Sequence, residues 1–287
     1  MKFKGRRQST NVEDMRGSSS GRSIGLKGGL IGTLAIALVV YLLGGNPMDV
    51  LRMSNQGQTE TTSGEAVLTE QEQEMTEFVS VVLADTEEVW KKIFREYGAT
   101  YREPKLVLFR SAVSSACGYA QAATGPFYCP GDEKVYLDLD YLEALQRKLG
   151  ATGDFAVAYI IAHEVGHHVQ LLMGTMEEVQ RAQQSARSQD QANELTVRLE
   201  LQADFFAGVW IHHGQKMFNF LEEGDLEEAL NAASAVGDDR IQMKTQGYVV
   251  PDSFTHGTSQ QRKNWLANGI RTGDIKQGDT FSQNVVL

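Results

Sequence analysis

Apolar residues recur at helical spacing in two long segments of the chain. Between Thr69 and Gly98 they return every three to four positions, which predicts a helix with one buried face. Thr69 and Glu72 form a capping box, so this helix is expected to begin at Thr69 and to end near Gly98. The segment from Asp154 to Met173 is apolar on two opposite sides, which is typical of a buried helix, with Asp154 as its N-cap.

Shorter segments predict strands and connecting elements. Leu106–Phe109 and Lys134–Asp138 have the composition of short strands, and residues 111–131 between them are small, polar and rich in glycine. A short helix is expected from Asp140 onwards. The polar segment 181–193 suits either a loop or an exposed helix.

One uncharged run near the N-terminus has the length of a membrane span. Residues 28–48 contain no charged side chain, and about 20 apolar residues are needed to cross the core of a bilayer. We expect an uncleaved transmembrane helix over 28–48. A cleaved signal peptide is the main alternative, although the stretch before the run is long and no clear Ala-x-Ala site follows it. The glycine content of the run disfavours a buried core helix.

The charge of the chain is divided unevenly. The protein has 287 residues and a net charge of −10. Residues 1–45 carry seven basic and two acidic residues, so the remainder has a charge of −15. This acidic remainder lacks the basic surface that nucleic-acid binding requires. The positive-inside rule places the basic end in the cytoplasm and the acidic part outside it, in the periplasm or the extracellular space.

These observations divide the chain into four parts. Residues 1–27 are predicted to form a basic, disordered cytoplasmic tail, which the transmembrane helix 28–48 follows. Residues 49–68 have the Ser-, Thr-, Gln- and Gly-rich composition of a linker. Residues 69–287 are enough for one folded domain.

The chain has two cysteines, Cys117 and Cys129. An exported domain favours a disulfide between them, and closing a loop of that size contributes roughly 3 kcal/mol to stability. Two buried free thiols, or one reactive thiol, are the alternatives.

The pattern His163-Glu-Val-Gly-His167 places metal-binding side chains on one helix. Residues four apart lie one above the other, so His163 and His167 share a face and can bind one zinc ion. Glu164 lies close enough to act as general base towards a water on that ion. Histidine makes up only 6 of the 287 residues, which argues against a chance occurrence.

A zinc hydrolase needs a third protein ligand. Gln170 and Met173 stand where the all-histidine pattern requires glycine and histidine, so that pattern is absent. Glu200 and Asp204 are four residues apart in an otherwise apolar stretch and would share a helix face. We predict that Glu200 is the third ligand and that Asp204 accepts a hydrogen bond from the second ring nitrogen of His163. A solvated helix face is the alternative for both carboxylates.

The other histidines differ in their expected roles. His256 lies in a turn before a predicted helix and is a candidate donor to the oxyanion that forms when a peptide bond is attacked. Arg262 could supply the same donor, or could pair with a carboxylate and hold the C-terminal helix. His168 points away from the ligand face, so a core or supporting role is expected. His212 and His213 are expected to be structural, because histidine at a helix end suits the backbone carbonyls.

Together these motifs resemble a known group of proteins. His163-Glu-Val-Gly-His167 with Glu200-Leu-Gln-Ala-Asp204 resembles the glutamate-type zincins, and more closely the YpfJ-type neutral zinc metallopeptidases. Thr255–Arg262 is similar to a further hallmark of that family, and the resemblance covers nearly the whole chain. The spacing from His256 to Arg262 is also similar to that of membrane peptidases related to the CaaX-processing and heat-shock zinc proteases.

The resemblance implies a fold, a cofactor and an activity. The fold is an α+β, zincin-like and mostly helical catalytic domain with a small β-sheet, after a single N-terminal transmembrane helix. The cofactor is Zn²⁺. Members commonly carry cysteines at the positions of Phe205 and Gly278, and both are missing here. The absence of both cysteines is consistent with the loss of one second disulfide bond between these positions.

The leading hypothesis is a membrane-anchored zinc metallopeptidase, an endopeptidase whose substrate is a polypeptide. Its zinc domain is residues 69–287, and residues 28–48 contact the lipid bilayer. The strand Lys134–Asp138 favours a peptide substrate, because zincins bind the substrate backbone along an edge strand. Two alternatives remain. One is a non-enzymatic zincin-fold chaperone or assembly factor of the cell envelope, and the other is a metal hydrolase that acts on a cell-wall component.

Overall fold

The computed structural model describes residues 1–16, 68–121, 125–142 and 153–282. Within these ranges helices and two small sheets combine, so the predicted α+β class is confirmed. In chain order the strands and α-helices are β1 (Val12–Asp14), α1 (Glu70–Glu96), β2 (Lys105–Phe109), β3 (Ala112–Ser115), β4 (Gly118–Gln121), β5 (Phe127–Cys129), β6 (Lys134–Asp138), α2 (Asp154–Met173), α3 (Thr175–Gln184), α4 (Gln189–Phe218), α5 (Asp225–Ala235), α6 (Asp238–Gln246) and α7 (Ser259–Thr272). Two short 3₁₀ helices, Pro251–Ser253 and Ile275–Gly278, flank α7.

The two long predicted helices form where the sequence places them. Thr69 caps α1 through the expected capping box with Glu72, and the left-handed Gly98 (φ 71°) follows the end of that helix. Every residue of α2 from Phe155 to Gln170 is buried, as its two apolar sides predict. The expected N-cap of α2 is wrong by one residue. Gly153 is the cap, whereas Asp154 is the first helical residue.

The main sheet has the strand order β1-β2-β6-β5. β1, β2 and β6 are parallel, and β5 runs antiparallel to β6. The predicted strand Lys134–Asp138 is confirmed as β6, but it pairs on both sides. The outer strand next to it is Phe127–Cys129, which sequence reasoning left within the glycine-rich segment.

A disulfide joins Cys117 to Cys129. Cys117 lies in the turn of the β3–β4 hairpin, and Cys129 is the last residue of β5. The bond therefore attaches the hairpin to the outer strand of the main sheet.

Residues 1–16 fold against the domain, so the prediction that they are disordered is wrong. β1 pairs in parallel with β2, with Val12 opposite Leu106. Arg6 and Arg7 pair with Asp85 and Glu87 of α1 at 2.6 and 2.7 Å. Glu87 is 1% exposed and Asp85 is 4% exposed. Carboxylates buried to this extent require charged or hydrogen-bonding partners, and the N-terminal residues supply them.

This packing also bears on the predicted membrane topology. A chain that crossed a bilayer once between residues 16 and 68 would leave residues 1–16 on the opposite side from the zinc-motif domain. The structure places both in one folded unit, while the side of the membrane on which that unit lies stays a prediction. The predicted span 28–48 lies outside the described residues. Among the helices that are described, none combines the length and apolar character needed to cross a membrane.

Glycines bring the backbones of α2, α4 and α7 together. A methyl group at Gly208 would lie 2.3 Å from the carbonyl oxygen of Leu266, and one at Gly166 would lie 2.9 Å from that of Ala203. Ala203 therefore lies against α2, and Gly208 lies against α7. The close approach of these three helices positions the side chains described next.

The C-terminal 3₁₀ helix packs on α4 through the pair Phe205 and Gly278. A methyl group at Gly278 would lie 2.5 Å from the Phe205 ring, so the phenyl ring fills the space beside this glycine. The two positions for which the sequence resemblance implies cysteines are therefore neighbours in space.

Candidate metal centre

Helix α2 carries both histidines of the motif on one face. The rings of His163 and His167 lie 4.9 Å apart, one helical turn from each other. His163 is 6% exposed, and Glu164 and His167 are each 8% exposed. The three side chains reach the same cleft from a rigid, buried helix.

Helix α4 brings Glu200 to both imidazoles. One carboxylate oxygen of Glu200 lies 3.2 Å from Nε2 of His163, and the other lies 3.4 Å from Nε2 of His167. A ligand atom from each of the three residues lies within 4.8 Å of the other two. Two imidazole nitrogens and one carboxylate form the donor set of catalytic zinc sites, so the residues present fit a zinc ion.

The electrostatics of this cluster favour a cation. Burial by itself lowers the pKa of His163, but the carboxylates of Asp204 and Glu200 outweigh it and raise that pKa to about 10. Burial raises the pKa of Glu200, yet the two imidazoles hold it well below its usual range. Protons therefore occupy the cluster when metal is absent. Since a metal ion must displace them, zinc binding is expected to strengthen as the pH rises.

Asp204 contacts the ring nitrogen of His163 that does not face Glu200. Its carboxylate is fully buried, lies 2.9 Å from Nδ1 of His163 and accepts a hydrogen bond from the hydroxyl of Tyr159 at 2.5 Å. A proton on Nδ1 makes Nε2, which faces Glu200, the nitrogen whose lone pair is available to a metal ion. The geometry is that of the predicted supporting contact. Sequence reasoning did not assign a role to Tyr159.

Arg262 of α7 forms an ion pair with Asp204. Arg262 is 3% exposed, and its guanidinium binds the Asp204 carboxylate twice, at 2.8 and 3.1 Å. It also donates to the carbonyl of Val236 and the hydroxyl of Tyr159, both at 3.3 Å. Of the two roles open from the sequence, these contacts favour the carboxylate pair that holds the C-terminal helix.

Gln170 holds His167, and sequence reasoning missed this role. Its Nε2 donates to the carbonyl of Leu199 at 2.7 Å, which requires a donor and so fixes the orientation of the amide. Oε1 of Gln170 therefore faces Nδ1 of His167, at 2.9 Å, and accepts a hydrogen bond from the Nδ1–H group. The signal available in the sequence is an amide three residues after the second histidine, on the same helix face.

The contacts of Gln170 continue to the C-terminal 3₁₀ helix. Nε2 of Gln170 also donates to Oε1 of Gln202 at 3.1 Å, and Nε2 of Gln202 donates to the carbonyl of Gly278 at 2.8 Å. Both amide side chains are buried. The two candidate ligand histidines thus have different partners, a carboxylate for His163 and a neutral amide for His167.

A cleft of about 510 Å³ opens onto the cluster. The polar residues His163, Glu164, His167, Glu200 and His256 line it. The apolar and aromatic part of its wall includes Phe127, Tyr128, Tyr141, Ile160, Met176, Leu199, Val236 and Ile241. The outer strand β5 therefore runs along this cleft.

The remaining histidines divide as follows. His256 belongs to the cleft wall, and its side chain is half exposed. His168 is fully buried and bonds to Tyr128 and to the carbonyl of Arg102, which is a core role. His212 and His213 bond to backbone carbonyls near the end of α7, so they are structural. The predicted end of their own helix is wrong, because α4 continues to Phe218.

Comparisons with known proteins agree with the donor set. A family model described as "Putative neutral zinc metallopeptidase" matches residues 1–281. "Uncharacterized protein YpfJ" of Escherichia coli K12 is 48% identical over 289 residues, which cover 99% of this chain and all of the relative. "Uncharacterized protein Rv2575" of Mycobacterium tuberculosis H37Rv is 41% identical over 204 residues, 68% of this chain and 66% of the relative. No solved structure matches the chain significantly. The protein belongs to the neutral zinc metallopeptidase family that this model describes.

Proposed function

We propose that the protein is a zinc-dependent endopeptidase whose metal ligands are His163, His167 and Glu200. One observation carries the proposal. The Glu200 carboxylate lies against Nε2 of both histidines, and Glu164 lines the same cleft. A zinc ion held there would lower the pKa of a water molecule and polarise the carbonyl of the substrate.

The side chains around the cleft then have distinct tasks. Glu164 accepts the proton of the attacking water and passes it to the departing amine. Asp204 and Gln170 each bind Nδ1 of one imidazole, which keeps both rings in the tautomer whose Nε2 can bind the ion. His256 donates to the carbonyl oxygen as negative charge develops on it.

The outer strand β5 aligns the substrate in this proposal. An extended peptide can add to the exposed edge of a sheet through backbone hydrogen bonds. Phe127–Cys129 is the outer strand and lines the cleft at Phe127 and Tyr128, whereas Lys134–Asp138 is already paired on both sides. The apolar wall of the cleft favours substrates with apolar side chains near the cleaved bond.

The Glu164→Gln variant tests the proposal. Glu164 is not a ligand in this scheme, so zinc content should stay at the level of the unmodified protein while kcat falls by at least about 100-fold. Glu177→Gln on the exposed face of α3 is the matched control, since the Glu177 side chain is 72% exposed. Full activity of a zinc-loaded Glu164→Gln variant would remove Glu164 from the mechanism. A peptide-library digest with and without a chelator separates a peptidase from a non-enzymatic zinc protein.

We also propose that the folded unit, residues 1–16 included, lies in an oxidising compartment outside the cytoplasm. The Cys117–Cys129 disulfide supports this location. If residues 28–48 contact a bilayer, the chain must enter and leave that bilayer on one side. Gln8→Cys and Gln246→Cys variants should both react with a membrane-impermeant thiol reagent in intact cells. Reaction of the residue-8 thiol only after lysis would restore the opposite-side topology.

A further inference from the structure

The turn that carries His256 is built on a single carboxylate. Oδ2 of Asp238, the first residue of α6, accepts the backbone N–H groups of Thr255, His256 and Gly257 at 2.8, 2.6 and 3.0 Å. The N–H of Asp238 in turn donates to the carbonyl of Gly257 at 2.9 Å. Gly257 has φ 88°, a left-handed conformation that glycine adopts without strain. The position of this turn therefore depends on Asp238.

The second oxygen of the same carboxylate reaches the imidazole. Oδ1 of Asp238 lies 3.4 Å from Nδ1 of His256, and the Thr255 hydroxyl lies 3.0 Å from the same nitrogen. The Asp238 side chain is only 13% exposed and that of His256 is 52% exposed, so water screens this contact from the side of the imidazole. The hydrogen bonds found among the described residues engage Nδ1 and leave Nε2 free, on a side chain that lines the cleft with Glu200.

We propose that Asp238 is a positioning residue for His256, which keeps the ring in place and protonated so that Nε2 can donate to the substrate carbonyl oxygen. This inference rests on the proposed peptidase function. A neutral imidazole whose proton faces Asp238 has only a lone pair on Nε2. A neutral imidazole with its proton on Nε2 would instead turn the Nδ1 lone pair towards the Asp238 carboxylate, which disfavours that tautomer. Nε2 therefore donates from the imidazolium form, which a carboxylate against Nδ1 favours.

Charged groups on three helices face His256. The contact with Asp238 of α6 raises its pKa above the usual value, against the opposing effect of burial. Glu200 of α4 acts in the same direction as Asp238, and Arg262 of α7 acts against both. The contact with Asp238 is the largest of these effects. The active imidazolium is lost as pH rises through this raised pKa, so kcat/KM should fall on the alkaline side.

The test compares Asp238→Asn with Asp239→Asn in the zinc-loaded protein. The amide oxygen of the Asp238→Asn side chain can still accept the backbone N–H groups, but the negative charge is gone. Asp239 is the matched control, because its carboxylate accepts from the backbone N–H and the hydroxyl of Ser259 at 2.7 and 2.8 Å rather than from the turn of His256. Two readouts are needed: the pKa of His256 from the NMR titration of its C2 proton, assigned by its absence in His256→Gln, and the pH profile of kcat/KM on a cleaved peptide.

We expect Asp238→Asn to lower the pKa of His256 by about one unit, and to move the alkaline fall of kcat/KM to lower pH by the same amount. Asp239→Asn should change neither. An unchanged pKa overturns the inference, and so does a lowered pKa with an unmoved pH profile. If the unmodified protein cleaves no peptide, the proposed function fails, and the NMR titration still tests whether Asp238 controls the ring.

A second variant covers the case in which Asp238→Asn does not fold. Asp238→Glu keeps the charge but shifts the carboxylate by one methylene, so the turn moves relative to the cleft. The pKa of His256 should remain raised while kcat falls by about tenfold and KM changes little. A raised pKa with an unchanged kcat would overturn the positioning role.

Discussion

The ion pair between Arg262 and Asp204 offers the most quantitative test of the cluster. Arg262→Met removes the guanidinium but keeps a long, flexible side chain in its place. The Asp204 carboxylate, with no exposed surface, would then keep only Tyr159 and His163 as partners. The His163 imidazole is then the remaining group beside Asp204 that can carry positive charge, so the buried carboxylate loses the stronger of its two cationic partners.

The size of the effect follows from the burial of both partners. Removing one side of a buried ion pair lowers the free energy of unfolding by about 3–5 kcal/mol. For a domain of this size each kcal/mol changes the Tm by about 2–4 °C, so we expect a loss of roughly 6–20 °C. Asp204→Leu combined with Arg262→Met leaves no unpaired charge in the cluster. The double variant should therefore be more stable than Arg262→Met alone by about 1–2 kcal/mol.

The lowered pKa of Asp204 makes the stability of the protein depend on pH. Burial raises the pKa of Asp204, but Arg262 and His163 outweigh it and lower that pKa to about 2. A lowered carboxyl pKa stabilises the fold at pH values above the unfolded pKa of about 4, and the benefit is lost as pH falls towards 2. Without Arg262 the opposing effect of burial dominates and raises the pKa of Asp204, so ionisation of this carboxyl should cost the variant stability as pH rises above about 4.

The assay is thermal unfolding followed by circular dichroism, on zinc-loaded and chelator-treated protein. Arg181→Met is the control, because Arg181 and its partner Glu177 are 64% and 72% exposed. Exposed pairs contribute less than about 1 kcal/mol. If Arg262→Met stays within about 1 kcal/mol of the unmodified protein, or if the double variant is the less stable of the two, the account of this cluster is refuted.

Two further predictions concern residues that tertiary contacts reveal. Gln170→Leu should weaken zinc affinity by about 10- to 100-fold, measured by competition with a chromogenic chelator on protein that circular dichroism shows to be folded; unchanged affinity would remove Gln170 from the support of His167. Burial raises the pKa of Asp85 to about 7, against the pull of Arg6, so its ionisation costs stability as pH rises from about 4 to about 8. Urea titrations across that range should show Asp85→Asn gaining roughly 2–4 kcal/mol relative to the unmodified protein, and a constant difference would contradict this reading.

Local patterns in the sequence predicted the parts of the site that lie on one helix. The four-residue spacing of His163 and His167 depends only on helix geometry, and so does the spacing of Glu200 and Asp204. The capping box at Thr69 is equally local, since donor and acceptor are three residues apart. Such features need no knowledge of what packs against the helix.

Contacts between residues far apart in the chain could not be predicted from the sequence. Gln170 takes its role from the carbonyl of Leu199, which belongs to another helix. Arg262 could be assigned only when Asp204 was found within 2.8 Å of it. In both cases the residue type allows several partners, and the packing of α2, α4 and α7 selects one.

The N-terminal residues show most clearly the difference between what local patterns predict and what tertiary contacts decide. Composition alone describes residues 1–16 as polar and basic, which is also the composition of a disordered tail. The buried carboxylates of Asp85 and Glu87 give those charges a fixed place, and β2 gives β1 a strand to pair with. The sequence by itself determined the candidate zinc-binding helices, because helix periodicity is local. Only the tertiary structure decided which side chains support those helices and that residues 1–16 belong to the same unit, because burial and pairing depend on residues far away in the chain.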